Sequence, residues 1–147
     1  MILGTKARYA VMAMVELARH DGKTPITLAQ LASSQEITLP YLEQIFSKLK
    51  QRGIVRSVRG PGGGYVLAQA AKDTRIIDIV QAVDESLKMT RCDKHNAGGC
   101  MASKAQCITH DLWDGLEQQI HSYLSGITLA DVLTRKLPAG LKETAFC

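Results

Sequence analysis

The sequence predicts a mainly α-helical fold with a small β-hairpin wing: a winged helix-turn-helix followed by a long C-terminal dimerisation helix. Three observations predict it. Two short amphipathic segments, one starting at Thr27 and one at Thr38, are separated by little more than Gln35-Glu36-Ile37. A strand, a glycine-rich turn and a second strand follow directly in IVRSVRGPGGGYVL. Farther on, a helical apolar pattern continues to Gly126 with little of its own domain to rest on.

The first helix starts at Thr5. Ala10, Val11, Met14, Leu17 and Ala18 form one apolar stripe, and Asp21-Gly22 ends it. The second helix opens with a capping box, Thr27-x-x-Gln30, turns Leu28, Leu31 and Ala32 inward, and runs to about Ser34. The third has Thr38 as N-cap and Pro40 in its first turn, where a missing N–H costs nothing. Leu39, Leu42, Ile45, Phe46 and Leu49 make its buried face, and Gly53 stops it. Pro40, Gln44, Ser47 and Gln51 point the opposite way, flanked by Tyr41, Glu43 and Lys48. A recognition helix reads bases through its exposed N-terminal residues, and Gln can pair with adenine while Glu accepts from cytosine.

The wing comes next. Ile54–Arg59 and Tyr65-Val66-Leu67 are strand-like, and Gly60-Pro61-Gly62-Gly63-Gly64 joins them without bulk. Its tip suits a minor groove, with Arg59 at the negative potential there and glycines allowing close approach. A nucleotide-binding glycine loop is excluded, since no Gly-Lys-Ser/Thr follows and no helix opens after it. The candidate DNA contacts are therefore Thr38, Pro40, Tyr41, Glu43, Gln44, Lys48, Arg59, Gly60, Pro61 and Gly62. Charge agrees. The net charge of the 147 residues is +4, but residues 1–75 hold eleven Lys or Arg against five Asp or Glu, and residues 76–147 seven against nine. The excess peaks at Lys48, Lys50, Arg52, Arg56 and Arg59, as a double-stranded DNA partner requires.

In the C-terminal half, Thr74–Glu85 predicts a short helix with Ile76, Ile77, Val80 and Val83 inward. Ser103-x-x-Gln106 reads as another capping box, opening a helix over 104–125 with Ile108, Leu112, Leu116, Ile120, Tyr123 and Leu124 as its stripe. Such a helix spans about 33 Å, more than this small domain can cover. A homodimer through helix 104–125, reading a palindromic operator, is the expectation. A last piece runs from Ile127 to Leu133, capped by Thr128. The predicted organisation is a winged helix-turn-helix over 1–75, a linking helix and cysteine-rich loop over 76–102, dimerisation and C-terminal helices over 103–137, and a frayed tail over 138–147, where Cys147 has no role.

Cys92-x7-Cys100-x6-Cys107-x2-His110 lies in a stretch too poor in large apolar residues to fold around a core of its own. With a helix from Ser103, Cys107 and His110 are i, i+3 neighbours on the side away from the apolar stripe, and the loop brings Cys92 and Cys100. Zinc accepts three thiolates and an imidazole, and so does an iron–sulfur cluster. His95 is a rival imidazole on the loop, while His20 and His121 read as surface residues. No membrane-spanning run, signal segment, nucleophile–base pair or small-molecule substrate site stands out, so a cytoplasmic, non-enzymatic protein with reduced thiols is expected.

Arg8-Tyr9-Ala10-Val11, Tyr41-Leu42-Glu43-Gln44, Val58-Arg59-Gly60-Pro61-Gly62-Gly63-Gly64-Tyr65, Ala82-Val83-Asp84-Glu85-Ser86, Thr90-Arg91-Cys92 and Cys107-Ile108-Thr109-His110-Asp111-Leu112-Trp113 together resemble the bacterial iron–sulfur cluster regulators of the IscR type. The likeness runs from about Thr5 to Val132. The glycine wing is shared with a wider group that includes the nitric oxide sensors of the NsrR type. The resemblance implies a homodimeric transcription factor holding one [2Fe–2S] cluster per subunit on Cys92, Cys100, Cys107 and His110. It also implies control, mainly repression, of cluster-assembly genes, with a second class of sites bound by the cluster-free form. Both inter-cysteine gaps are longer than the enterobacterial pattern, and Pro40 stands where a serine is expected. A nitric oxide or redox-sensing repressor of the same fold, or a zinc-stabilised DNA-binding module, is the alternative expectation.

Overall fold

The computed structural model describes residues 4–83, 87–89 and 99–138. Three helices come first: α1 (Thr5–Arg19), α2 (Leu28–Gln35) and α3 (Leu39–Gln51). A two-stranded hairpin follows, β1 (Val55–Val58) and β2 (Gly64–Leu67), and then a single 3-10 turn at Ala71–Asp73. The chain closes with α4 (Ile76–Ala82), α5 (His110–Ser125) and α6 (Leu129–Leu133). This is the winged helix-turn-helix that the sequence predicts, with the helix-turn-helix in α2 and α3 and the wing in β1 and β2.

The central element is α1. Ala7, Ala10, Ala13, Met14, Leu17 and Ala18 are its buried face, and Val11 is only partly covered. Four alanines on that face let neighbouring backbones come close, and α1 packs on α2, α3, α4 and α6 at once. One continuous core results, in which Phe46, Leu31, Leu42, Ile45, Leu49, Ile79, Val80 and Leu129 are fully buried. Each such side chain contributes about 1.5–3 kcal/mol relative to remaining in water.

Local signals explain most boundaries. The Thr27 side chain accepts the Gln30 N–H at 3.2 Å, and Gln30 returns the bond to the Thr27 N–H at 2.9 Å. Glu36 ends α2 in the left-handed region (φ 54°), and the Ile37 N–H closes the turn on the Ala32 carbonyl at 3.1 Å. Thr38 is the N-cap of α3 but accepts no side-chain cap bond. Leu39, expected in the core, is 39% exposed: it lies in the first turn, beyond the reach of α1 and α2, and the stripe begins at Leu42. In α4, Ile79 is buried as well as Ile76, Ile77 and Val80, because neighbours surround this short helix. It ends at Ala82, and the expected extension through Glu85 lies outside the described residues.

The largest departure is the start of α5. The helix begins at His110, and Ser103–Gln106 caps nothing. Lys104 sits at φ 63°, which no helix tolerates. The chain folds back there instead: the Gly99 N–H reaches the Lys104 carbonyl at 2.9 Å and the Met101 N–H the Ala105 carbonyl at 3.2 Å. A side chain at Gly99 would run into the Ala105 carbonyl, so the loop closes only with glycine there. At ~1.5 Å per residue the shorter α5 spans about 24 Å. At the other end, Thr128 and Asp131 form a capping box for α6, as Thr128 suggested. Ile127 and Thr74 tie α6 to the start of α4: Ile76 N–H to the Ile127 carbonyl and Leu129 N–H to the Thr74 carbonyl, both 2.9 Å.

Candidate nucleic-acid interface and thiol–imidazole site

The outward face of α3 carries Pro40, Glu43, Gln44, Ser47 and Gln51, all exposed, with Tyr41 and Lys48 half-buried at its flanks. Thr38 is exposed at the head of the helix. Two aromatic contacts hold this face in place. The Tyr41 ring meets Tyr9 of α1 edge to face at 5.7 Å, fixing the helix's N-terminal end. Phe46, on the opposite side, meets Tyr65 of β2 at 5.0 Å, which fixes the hairpin relative to the helix.

The hairpin is antiparallel, with Val55 opposite Leu67 and Val58 opposite Gly64. At its tip the Gly63 N–H bonds the Gly60 carbonyl at 2.9 Å. Pro61 and Gly62 are the central residues, and Gly62 has φ 71°, as a turn with proline second and glycine third demands. Arg59, Gly60, Pro61 and Gly62 are all exposed. The outer edge of β2 is pinned near the turn by a feature that no pattern in the sequence announces. Ile26, just ahead of α2, pairs with Tyr65 through two backbone hydrogen bonds of 3.1 and 2.8 Å. Gly64, beside that bridge at φ 152°, approaches Ile26 so closely that a Cβ would meet its backbone. Recognition helix, wing and α1 thus form one rigid surface, edged by Lys50, Arg52, Arg56 and Arg59, all exposed.

The second site lies at the head of α5. The 99–105 loop brings Cys100 Sγ to 3.2 Å from His110 Nδ1. Cys107 is not on the helix, as the sequence suggested, but in the turn before it, where its carbonyl accepts the His110 N–H at 3.0 Å. Its Sγ lies 3.5 Å from the Thr109 hydroxyl. Cys100, Cys107 and His110 are all half-buried. Among the described residues no three His, Cys, Asp or Glu side chains converge as a complete metal site. Cys92, His95 and Cys147 lie outside them. The donors present nevertheless suit a soft metal centre. Two ligands on one tetrahedral metal, with sulfur at about 2.3 Å and nitrogen at about 2.0 Å, stand about 3.5 Å apart, close to the Cys100–His110 separation. The Thr109 hydroxyl is the kind of outer partner that orients a thiolate. His20 is a surface residue paired with Glu16, and His121 is exposed beside Ser125.

No residue of α5 is fully buried. Leu112 is 62% exposed, Tyr123 47% and Trp113 39%, and Ile108 just ahead of the helix is fully exposed. Of the apolar stripe read from the sequence, Ile108, Leu112 and Tyr123 are exposed, whereas Leu116 and Ile120 are half-buried and Leu124 packs against the core. No helix among the described residues is long and apolar enough to cross a membrane.

Comparison with known proteins covers nearly the whole chain. Residues 3–135 match the Rrf2 family model, described as iron-dependent transcriptional regulators. The HTH-type transcriptional regulator IscR of Vibrio atlanticus is 46% identical over 133 residues, covering 90% of this chain and 75% of the relative. IscR of Serratia proteamaculans is 43% identical over 136 residues, 92% and 81% of the two chains. Among solved structures, IscR of T. potens superposes with a TM-score of 0.75 at 33% identity, covering 98% of this chain and 94% of the other. CymR, the global cysteine regulator of B. subtilis, superposes with a TM-score of 0.74 at 27% identity, over 92% and 98%.

Proposed function

The chain belongs to the Rrf2 family of transcriptional regulators, and on that premise we propose that it is a homodimeric, [2Fe–2S]-sensing regulator that mainly represses iron–sulfur cluster assembly genes. Cys92, Cys100, Cys107 and His110 are the proposed cluster ligands. Thr38, Pro40, Tyr41, Glu43, Gln44 and Lys48 on the recognition helix face the major groove of a palindromic operator. Arg59, Gly60, Pro61 and Gly62 in the wing enter the minor groove. The partner subunit docks along the apolar stripe of α5.

The observation that carries this reading is the 3.2 Å approach of Cys100 to His110 at the head of the same helix that exposes Leu112 and Tyr123. Sensor and dimer contact are then two ends of one element. When bound, the cluster supplies a redox-active group that can be gained or lost. The chain's own residues do the rest. Cys100 and His110 fasten the 99–105 loop to the first turn of α5. The position of α5 in the dimer fixes the distance between the two recognition helices, and α4 and α6 carry its position through the shared core to α1. Glu43, an exposed carboxylate at the DNA face, selects among bases and lowers affinity for phosphate, so it favours sites that offer a cytosine amino group.

The test is the absorption spectrum of protein purified without oxygen, with metal and sulfide analysis. A red-brown protein with charge-transfer bands, equal iron and sulfide, and steeply salt-dependent operator binding is expected. A colourless protein with one zinc per chain overturns the cluster reading and leaves a zinc-stabilised DNA-binding module.

A further inference from the structure

Arg8-Tyr9-Ala10-Val11 in α1 supplies none of the DNA contacts and none of the cluster ligands named above. Ala10 belongs to the core, but Tyr9 is only half-buried, and its ring meets that of Tyr41 at 5.7 Å with the two planes 87° apart. Tyr41 stands in the first turn of α3, one place before the buried Leu42. Both tyrosines lie at the margin of the core, and neither phenol hydroxyl has a hydrogen-bond partner among the described residues.

The place of Tyr41 in its helix explains why it needs support from outside. A helical side chain leans toward the N-terminus and rests on the turn before its own. Tyr41 has no such turn, because α3 begins only at Leu39. A helical aromatic has two common χ1 wells, and the Tyr9 ring, standing edge to face, closes one side of the space that a turning Tyr41 ring would sweep. Tyr9 is itself a fixed wall, since Ala7, Ala10 and Ala13 beside it seat α1 in the core. A ring held in one orientation before DNA arrives loses less freedom on binding than one that must be ordered at the interface.

We infer that Tyr9 is a positioning residue for operator recognition: its ring holds Tyr41 in the orientation that reads the operator. It rests on the DNA contact proposed above for Tyr41, and it acts through that ring. An edge-to-face pair shifts an equilibrium by roughly two- to twelvefold, and a dimer on a palindrome counts the pair twice. The effect falls on sequence discrimination, which depends on orientation at the base edges. It leaves the attraction to phosphate alone, because that depends on charge and Tyr9 carries none.

The test uses fluorescence anisotropy on two duplexes: the one that the wild-type protein selects from a random pool, and a scrambled duplex of the same composition. Tyr9→Phe, Tyr9→Leu, Tyr41→Leu and the double variant Tyr9→Leu with Tyr41→Leu are compared over a salt series. Tyr9→Leu should bind the selected duplex about tenfold more weakly. Its affinity for the scrambled duplex should stay within about twofold of wild type, with an unchanged salt slope. Tyr9→Phe keeps the ring and should stay within about twofold on both duplexes. Once Tyr41 is replaced, Tyr9→Leu should cost less than about twofold more. Tyr9→Met replaces Tyr9→Leu if circular dichroism shows that variant unfolded. Full additivity with Tyr41→Leu overturns the inference, and so does an equal loss on both duplexes or an unchanged affinity in the folded variant. A loss in Tyr9→Phe as large as in Tyr9→Leu also overturns it, because the hydroxyl would then touch DNA itself. If Tyr41→Leu binds the selected duplex as wild type does, the contact proposed for Tyr41 falls and this inference with it. A wild type that selects no sequence removes the operator reading as a whole.

Discussion

Gly64→Ala tests how the wing is held to the body of the protein. A methyl group there would stand 2.5 Å from the Ile26 carbonyl carbon and 2.9 Å from the Ile26 nitrogen, inside the 3.0 Å that real Cβ atoms keep. The obstructing atoms are backbone, so the two segments must part by at least half an ångström. The Ile26–Tyr65 bridge lies across that gap, and its 3.1 Å bond passes beyond hydrogen-bonding distance when they do. Loss or weakening of two buried bonds costs about 1–3 kcal/mol, and φ 152° in a residue with a side chain adds about 1–3 kcal/mol. A total near 2–6 kcal/mol compares with a whole-domain stability of about 5–15 kcal/mol. Gly62→Ala is the control: its φ is also positive (71°) but its Cβ would meet nothing, so about 1–2 kcal/mol is expected. Urea unfolding of both variants measures the difference, with the Gly64→Ala midpoint lowered by about 1–3 M. If the two variants unfold at the same midpoint, close approach to Ile26 is not what holds the wing.

Arg59→Ala should weaken binding to every operator and reduce the slope of log affinity against log salt by about 0.9 per subunit, about 1.8 for a dimer; fluorescence anisotropy over a salt series measures both, and an unchanged slope removes the wing tip from the interface. Leu112→Glu, at a position 62% exposed in the single chain, should leave the subunit folded but monomeric in analytical ultracentrifugation; a persisting dimer would move the contact off α5. The Asp131 carboxyl is held below the ordinary carboxylate range, first by the Thr128 hydroxyl and then by the Thr128 backbone N–H. Its stabilising effect is therefore complete above the unfolded value of about 4 and disappears as pH falls through the lower folded value. The thermal midpoints of wild type and Asp131→Ala should differ at pH 7 and converge near pH 2–3; a gap that stays constant over that range would refute the assignment.

Much of the DNA-reading half was legible because its determinants are local. Thr27 and Gln30 cap α2 as their spacing says, the Leu42–Leu49 stripe is buried, and the glycine turn sits where glycine is compulsory. The head of α5 departs from its sequence pattern for a physical reason. Ser103-x-x-Gln106 has the composition of a capping box, but Lys104 is turned into the left-handed region by a loop closed between Gly99 and Ala105, which also carries Cys100 to His110. That geometry is set by backbone bonds across the loop, and no local propensity reports it. The Ile26–Tyr65 bridge is illegible for a related reason: it joins backbone groups far apart in sequence, and backbone groups have no letter in the sequence. Ile79 lies outside a single apolar stripe because α4 is enclosed on more than one side.

The alanine-lined face of α1 has a consequence for heredity as well as for folding. Because α1 is shared by the DNA-reading helices and by α4 and α6, a cut after residue 75 would expose Ile76, Ile79, Val80, Ile127 and Leu129 on one fragment and their seat on α1 on the other. The DNA-reading half and the C-terminal half are therefore not modules that recombination could exchange between regulators. A change in the C-terminal half reaches the DNA-binding surface through this shared core.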